Sequence, residues 1–94
     1  MSTAPGYTAS KDQLLKRLAR AEGQVRGVGR MVENDRYCIE VLTQIQAAQA
    51  ALDRIALGLL DDHVHNCMAE PAGEKRRGEQ AEELMGAVGR LVGR

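Results

Sequence analysis

Between Arg36 and Met68 the chain has no proline and a single glycine, Gly58. A run of that length without a breaker constrains everything around it, because proline and glycine are the residues that interrupt a helix. Cys38, Ile45, Leu52 and Leu59 recur along it every seven residues, and Leu42, Gln49, Ala56 and His63 form a second, mixed row. The pattern predicts one long helix of coiled-coil character, ended by Pro71 and Gly73.

The flanking segments are also helical in pattern. Ser10 stands three before Gln13, a capping-box spacing that opens a helix. Leu14, Leu18, Ala21, Val25, Val28 and Val32 then give that helix one apolar face. Gly23, Gly27 and Gly29 weaken it by up to ~1 kcal/mol each relative to alanine, which suggests close helix approach or flexibility. "ENDR" at 33–36 reads as a break, with Asn34 or Asp35 capping the long helix. "PAGEKRRGE" reads as a polar connector, and residues 79–92 as a short third helix with Ala81, Leu84, Met85, Val88 and Leu91 on one side. Residues 1–9 read as a flexible N-terminal tail, and residues 10–94 as a single helical domain.

The fold class that follows is all-α, a three-helix protomer with one long central helix. It cannot bury much alone. The chain has 94 residues, no Phe, no Trp and only Tyr7 and Tyr37 as aromatics, and short chains with small side chains have thin cores. The long helix is therefore expected to pack against a copy of itself.

Net charge is zero, but its distribution is uneven. Lys11, Lys16, Arg17, Arg20, Arg26, Arg30 and Arg36 make the first third basic, whereas between Ile39 and Glu70 the only base is Arg54. No apolar run is long enough to span a membrane. The N-terminal residues lack a basic start followed by an apolar stretch, so the expected compartment is the cytoplasm. Thiols stay reduced there, and two cysteines are better read as ligands, reactive thiols or small buried hydrophobes than as a disulfide. No paired carboxylates and no nucleophile–base set are evident, so an enzyme is not expected.

Both histidines and one cysteine lie in "LLDDHVHNCM". His63 and Cys67 are four apart, one turn above the other on one helix face; His65 points to nearly the opposite side of Cys67. Taken alone, a His-x-x-x-Cys pair serves packing as readily as metal binding. Cys38 changes the weighing. It lies 25 residues before His63, roughly 37 Å along a continuous helix, so the two cannot share a metal within one subunit. Two antiparallel copies of the helix can bring them together if the two-fold axis passes near Ala51. The residues there, "QAAQAAL", include Ala47, Ala48, Ala50 and Ala51, small enough for two backbones to approach. Each dimer would then hold two sites, with Cys38 from one subunit and His63 and Cys67 from the other. Two thiolates and one imidazole form a soft, three-coordinate set that suits Cu(I), one ion per subunit. A structural zinc site wants four protein ligands.

The stretch from "YTASKDQLLKRLARAEGQVRG" through "YCIEVLTQI" to "DDHVHNC" closely resembles the copper-sensitive operon repressors, the CsoR family, over about residues 7–92. The resemblance implies antiparallel four-helix-bundle dimers assembled into tetramers. It implies an apo protein that binds operator DNA, and Cu(I) binding that lowers DNA affinity and derepresses copper-resistance and export genes. Carried over by motif, the metal ligands are Cys38, His63 and Cys67, supported from behind by Tyr37 and Glu83. The DNA-contacting bases include Arg17 and Arg54, with Lys16 and Arg20 beside them. Expected partners are double-stranded operator DNA, further copies of the chain and a copper chaperone delivering Cu(I), but no membrane. Other branches of the family fit less well. The nickel- and cobalt-sensing branch uses an N-terminal histidine and a histidine in place of Cys67, and residues 1–12 hold no histidine. The persulfide-sensing branch lacks the histidine found here at position 63. The formaldehyde-sensing branch relies on an N-terminal proline, and Pro5 is not at the terminus.

Simpler roles stay open at this point. Tyr37 can cover a bundle end, Glu83 can be a solvated charge, and the basic helix can be a soluble face. Two alternatives share the ligands. One is a cytosolic Cu(I) buffer, which needs no basic surface. The other is a thiol-redox-responsive repressor using Cys38 and Cys67.

Overall fold

The computed structural model describes residues 6–67 and 73–93. Among them the architecture is all helical: a 3-10 turn at Thr8–Ser10, then α1 (Lys11–Glu33), α2 (Cys38–Asn66) and α3 (Glu74–Val92). The long central helix expected from the breaker-free run is unbroken over 29 residues. Of the two residues read as closing it, Pro71 lies outside the described residues and Gly73 stands directly before α3.

α1 and α2 form an antiparallel hairpin. Ser10 at the start of α1 meets Asp62 near the end of α2, and Ala21 and Ala48 are the buried side chains of the described residues. Small residues let the helices approach there. The alanine-rich stretch of α2 thus serves α1 in part, which differs from the sequence reading that assigned it to a second copy of α2. Ala48 faces inward and Ala51 borders α1, while Ala47 and Ala50 remain exposed. Ala48→Leu should therefore wedge the hairpin apart at a cost of ~1–3 kcal/mol. Thermal unfolding followed by circular dichroism would register this as a midpoint lowered by roughly 5–15 °C.

The connection from α1 to α2 corrects another expectation. Asn34 and Asp35 do not cap α2; they end α1. The Arg36 N–H donates to the Met31 carbonyl and the Asp35 N–H to the Val32 carbonyl, at 3.0 and 3.1 Å. This is a Schellman closure, with Asp35 in the left-handed region at φ 55°. Tyr37 precedes α2 instead, without a side-chain cap. Arg36 pairs with Glu40 at 2.8 Å across the first turn.

The start of α1 differs too. Ser10 occupies the cap position but gives α1 no side-chain cap; its hydroxyl is engaged by Asp62. α3 begins at Glu74, five residues before the expected start, so most of the charged connector is helical. No Cα of α3 comes within 8 Å of a Cα of α1 or α2. α3 stands off α2 across an open hollow.

The hairpin leaves large apolar side chains uncovered. Leu15, Val25, Ile39, Leu42, Leu52 and Leu57 are each between 45% and 57% exposed. The radius of gyration is 17.4 Å, against about 12 Å for a compact chain of this length.

Candidate metal centre and basic surface

The last turns of α2 carry the first part of the site. His63 and Cys67 follow one another on one face, and the Cys67 backbone N–H donates to the His63 carbonyl at 2.8 Å. Helical geometry thus extends to Cys67 and keeps the pair in register. Both side chains are half-buried. His65 is turned away. Its Nδ1 lies 2.9 Å from the Asp61 carbonyl and 3.2 Å from an Asp61 carboxylate oxygen, out in solvent.

The pair lines a hollow of about 580 Å³ between the C-terminal half of α2, α3 and the Gly6–Tyr7 segment. Leu59 and Leu60 from α2 and Leu84, Ala87 and Leu91 from α3 make its walls apolar, and Glu83 and Arg90 bring charge to the α3 side. Glu83 therefore shares a cavity with His63 and Cys67. Tyr37 does not. It is 67% exposed at the other end of α2, next to Cys38, which is also exposed.

Cys38 is the first residue of α2 and Asn66 the last. An unbroken helix between them holds Cys38 roughly 37 Å from His63 along the axis. One chain accordingly presents two donors at one end of α2 and one donor at the other. Among the described residues, no three His, Cys, Asp or Glu side chains of one chain form a metal-holding group.

The N-terminal segment is an unexpected part of the site. Gly6 sits so close to the pair that a methyl group on its Cα would come within 3.0 Å of Cys67 Sγ and His63 Cα, and 2.9 Å of the Asp62 carbonyl. The Asn66 side-chain amide donates to the Gly6 carbonyl at 2.8 Å, and the Ser10 hydroxyl donates to Asp62 Oδ2 at 2.7 Å. Of the stretch read as a tail, Gly6 and Tyr7 line the hollow at the end of α2, and residues 1–5 lie outside the described residues. Nothing in the local sequence signals this contact, because its partners are 52 and 60 residues away.

A second cluster lies midway along the hairpin. Arg17 and Arg20 of α1 and Arg54 of α2 border one shallow hollow of about 290 Å³, with Gln24 and Ala51. Gly58 leaves room for the Arg17 guanidinium, 3.9 Å from where a Cβ would stand. Arg54, the lone base of its stretch, thus joins the basic face of α1. Lys16 is exposed on α1 but does not border this hollow.

Comparison with known proteins gives these features a context. Residues 10–90 match the family described as metal-sensitive transcriptional repressors. The chain belongs to that family. It is a CsoR/RicR-type regulator, not an enzyme. The copper-sensing transcriptional repressor RicR of Mycobacterium tuberculosis is 49% identical over 94 residues, spanning 98% of each chain. The three-helix fold matches the copper-sensing repressor CsoR with Cu(I) from Geobacillus thermodenitrificans, at a TM-score of 0.81 and 41% identity, over 90% of this chain and 88% of that one. It also matches the nickel-responsive transcriptional regulator InrS, at 0.72 and 42% identity, over 85% and 90%. Two metal specificities thus share this fold, and the donor residues have to distinguish them.

Proposed function

We propose that the chain is a Cu(I)-sensing transcriptional repressor. In this reading it holds operator DNA in the metal-free form. It releases that DNA once Cu(I) is held by Cys38 of one protomer and by His63 and Cys67 of another, and so switches on copper-resistance and export genes in the cytoplasm. The observation that carries the reading is the placement of soft donors at opposite ends of one unbroken helix, in a chain of this family. Two thiolates and one imidazole fit a soft monovalent ion. A fourth ligand for zinc is not offered by His65, which faces Asp61. Relatives that sense copper, over nearly the whole length of the chain, favour the same ion.

The uncovered surface supports the shared site. The chain exposes 7316 Å², against about 5300 Å² for a compact monomer of its mass. The excess exceeds the ~800 Å² that each partner contributes to an ordinary interface. Ile45, Leu52 and Leu59, each at least 36% exposed, continue the seven-residue row that begins at Cys38. An antiparallel copy of α2 covers that row and carries its own Cys38 toward His63 and Cys67. Pairing of dimers into a tetramer then repeats the Arg17–Arg20–Arg54 cluster, with Lys16 beside it, so that a neutral chain neutralises many phosphates. One ion per subunit, delivered by a copper chaperone, completes this reading.

The test is the fluorescence anisotropy of a labelled duplex from upstream of the repressor's own operon. Metal-free protein should bind. One equivalent of Cu(I) per chain should weaken binding by roughly 5–150-fold, the usual range of allosteric coupling, and Ni(II) should not. Copper binding without any DNA affinity would mark a buffer. Release by peroxide in the absence of copper would mark a thiol switch.

His63→Ala is expected to separate binding from response. Cys38 and Cys67 still supply two thiolates, so Cu(I) is retained. The imidazole is the nitrogen donor of the set, it lines the same cavity as Glu83, and support behind a ligand orients it. Only a difference in affinity between two states couples metal to DNA. The variant should therefore bind Cu(I) in a chelator competition yet keep its operator. Parental release by the copper-loaded variant would remove His63 from the coupling.

A further inference from the structure

We propose that Gly6–Ser10 is a lid over the His63–Cys67 donor pair, latched by Ser10 on Asp62 and by Asn66 on Gly6, and that it sets how fast Cys67 meets solutes. The metal half of this proposal rests on the Cu(I) reading above; the thiol half does not.

Three observations carry it. The first is contact. Gly6 lies over Cys67 Sγ so closely that a single added carbon would be 3.0 Å from the sulfur. Real Cβ atoms avoid such distances, so glycine is what lets the segment close. Two of the three crowded atoms are backbone, the Asp62 carbonyl oxygen and His63 Cα, and they cannot swing away as a side chain would.

The second is the latch. The Ser10 hydroxyl donates to the Asp62 carboxylate at 2.7 Å, a charge-assisted bond of the stronger kind. The Asn66 amide donates to the Gly6 carbonyl at 2.8 Å. These two bonds hold the segment at both ends, and both reach residues within one turn of the donor pair.

The third is contrast. Cys67 is half-buried under the segment, while Cys38 is exposed. The segment is short and offers little apolar area, so its opening is a local event, separate from unfolding of the helices. A lid held by few bonds opens often, and each lost bond raises the open fraction. Cys67 then reacts, and a metal held there exchanges, through the open form.

The thiol half is tested on the metal-free repressor. Brief labelling with N-ethylmaleimide, followed by peptide mass spectrometry, gives separate rates for Cys67 and Cys38. Ser10→Ala should speed Cys67 labelling by roughly tenfold, the size of one lost charge-assisted hydrogen bond. Gly6→Ala should act in the same direction. Helical content by circular dichroism should stay at the parental level, which excludes general unfolding as the cause. Ser10→Thr, which keeps the hydroxyl, should return Cys67 to the parental rate. Equal Cys67 rates in the parent, Ser10→Ala and Gly6→Ala, with circular dichroism unchanged, would overturn the lid. Faster Cys67 labelling accompanied by a loss of helical circular dichroism would overturn it as well, since the effect would then be global.

The metal half is tested by extraction of bound Cu(I) with excess bicinchoninate. Ser10→Ala should release the ion several-fold faster than the parent. Faster Cys67 labelling with unchanged extraction would overturn control of metal exchange. Absence of Cu(I) binding in the parent would count against the copper reading and leave the labelling result standing.

Discussion

Cys38→Ala should abolish the Cu(I) response while leaving the metal-free repressor on its operator. The expectation follows from where the residue stands. Cys38 is exposed at the first position of α2, so its loss opens no cavity in the hairpin and should leave helical content unchanged. No substitute donor is at hand, because Cys67 and His63 of the same chain lie a helix length away. In the proposed site, His63 and Cys67 alone keep a single thiolate, without the thiolate pair that suits Cu(I). The loss should exceed the ~10–100-fold that removal of a mere supporting group costs. A Cu(I) titration against bicinchoninate should show weak binding only, and anisotropy should show an operator complex insensitive to copper. Copper-driven release at parental concentrations in this variant would take Cys38 out of the site.

Operator binding should collapse in the Arg17→Ala, Arg54→Ala double variant, with Cu(I) affinity preserved. The two guanidinium groups border one hollow, though they come from helices of opposite direction. Among the described residues neither forms a salt bridge with an acid, whereas Arg26 and Arg36 pair with Glu22 and Glu40. Charged hydrogen bonds of ~1.5–3 kcal/mol each make the joint loss roughly 100-fold or more. The slope of log affinity against log salt should flatten by about one for each phosphate contact removed. Arg54 is 9 residues from His63, the nearer donor, roughly 14 Å along α2, so the donors should stay in place. A double variant with parental affinity and salt slope would move the DNA surface elsewhere, Lys16 and the outer arginines of α1 being next in line.

The long helix was legible because breakers are local: from Arg36 to Met68 only Gly58 interrupts, and one glycine does not stop a helix. The separation of Cys38 from His63 then follows from helix rise alone. The start of α3 was not legible for the same kind of reason in reverse. "EKRRGE" looks like a connector, yet Gly78 costs only about 1 kcal/mol in a helix, and Arg76 and Glu79 approach within 3.9 Å across one turn. Ser10 fitted a capping box by spacing, but the hydroxyl found a stronger acceptor in Asp62, a partner no window of local sequence contains. The same holds for Gly6 and Asn66. Ala48 was read as part of a crossing with a second α2, and a lone sequence cannot separate that from the crossing with α1 that buries it. The grouping of Arg54 with Arg17 came from the family resemblance, since only the hairpin register unites them.

The central claim is that each site takes Cys38 from one chain and His63 and Cys67 from another, and refolded mixtures of two variants test it most directly. Cys38→Ala and Cys67→Ala each damage both sites of their own homodimers. In a heterodimer one site receives both substitutions and the other receives neither. Unfolding the two variants together and refolding them should restore one tight Cu(I) site per heterodimer in a bicinchoninate titration. With heterodimers verified by native mass spectrometry, failure to recover tight binding would contradict the shared site.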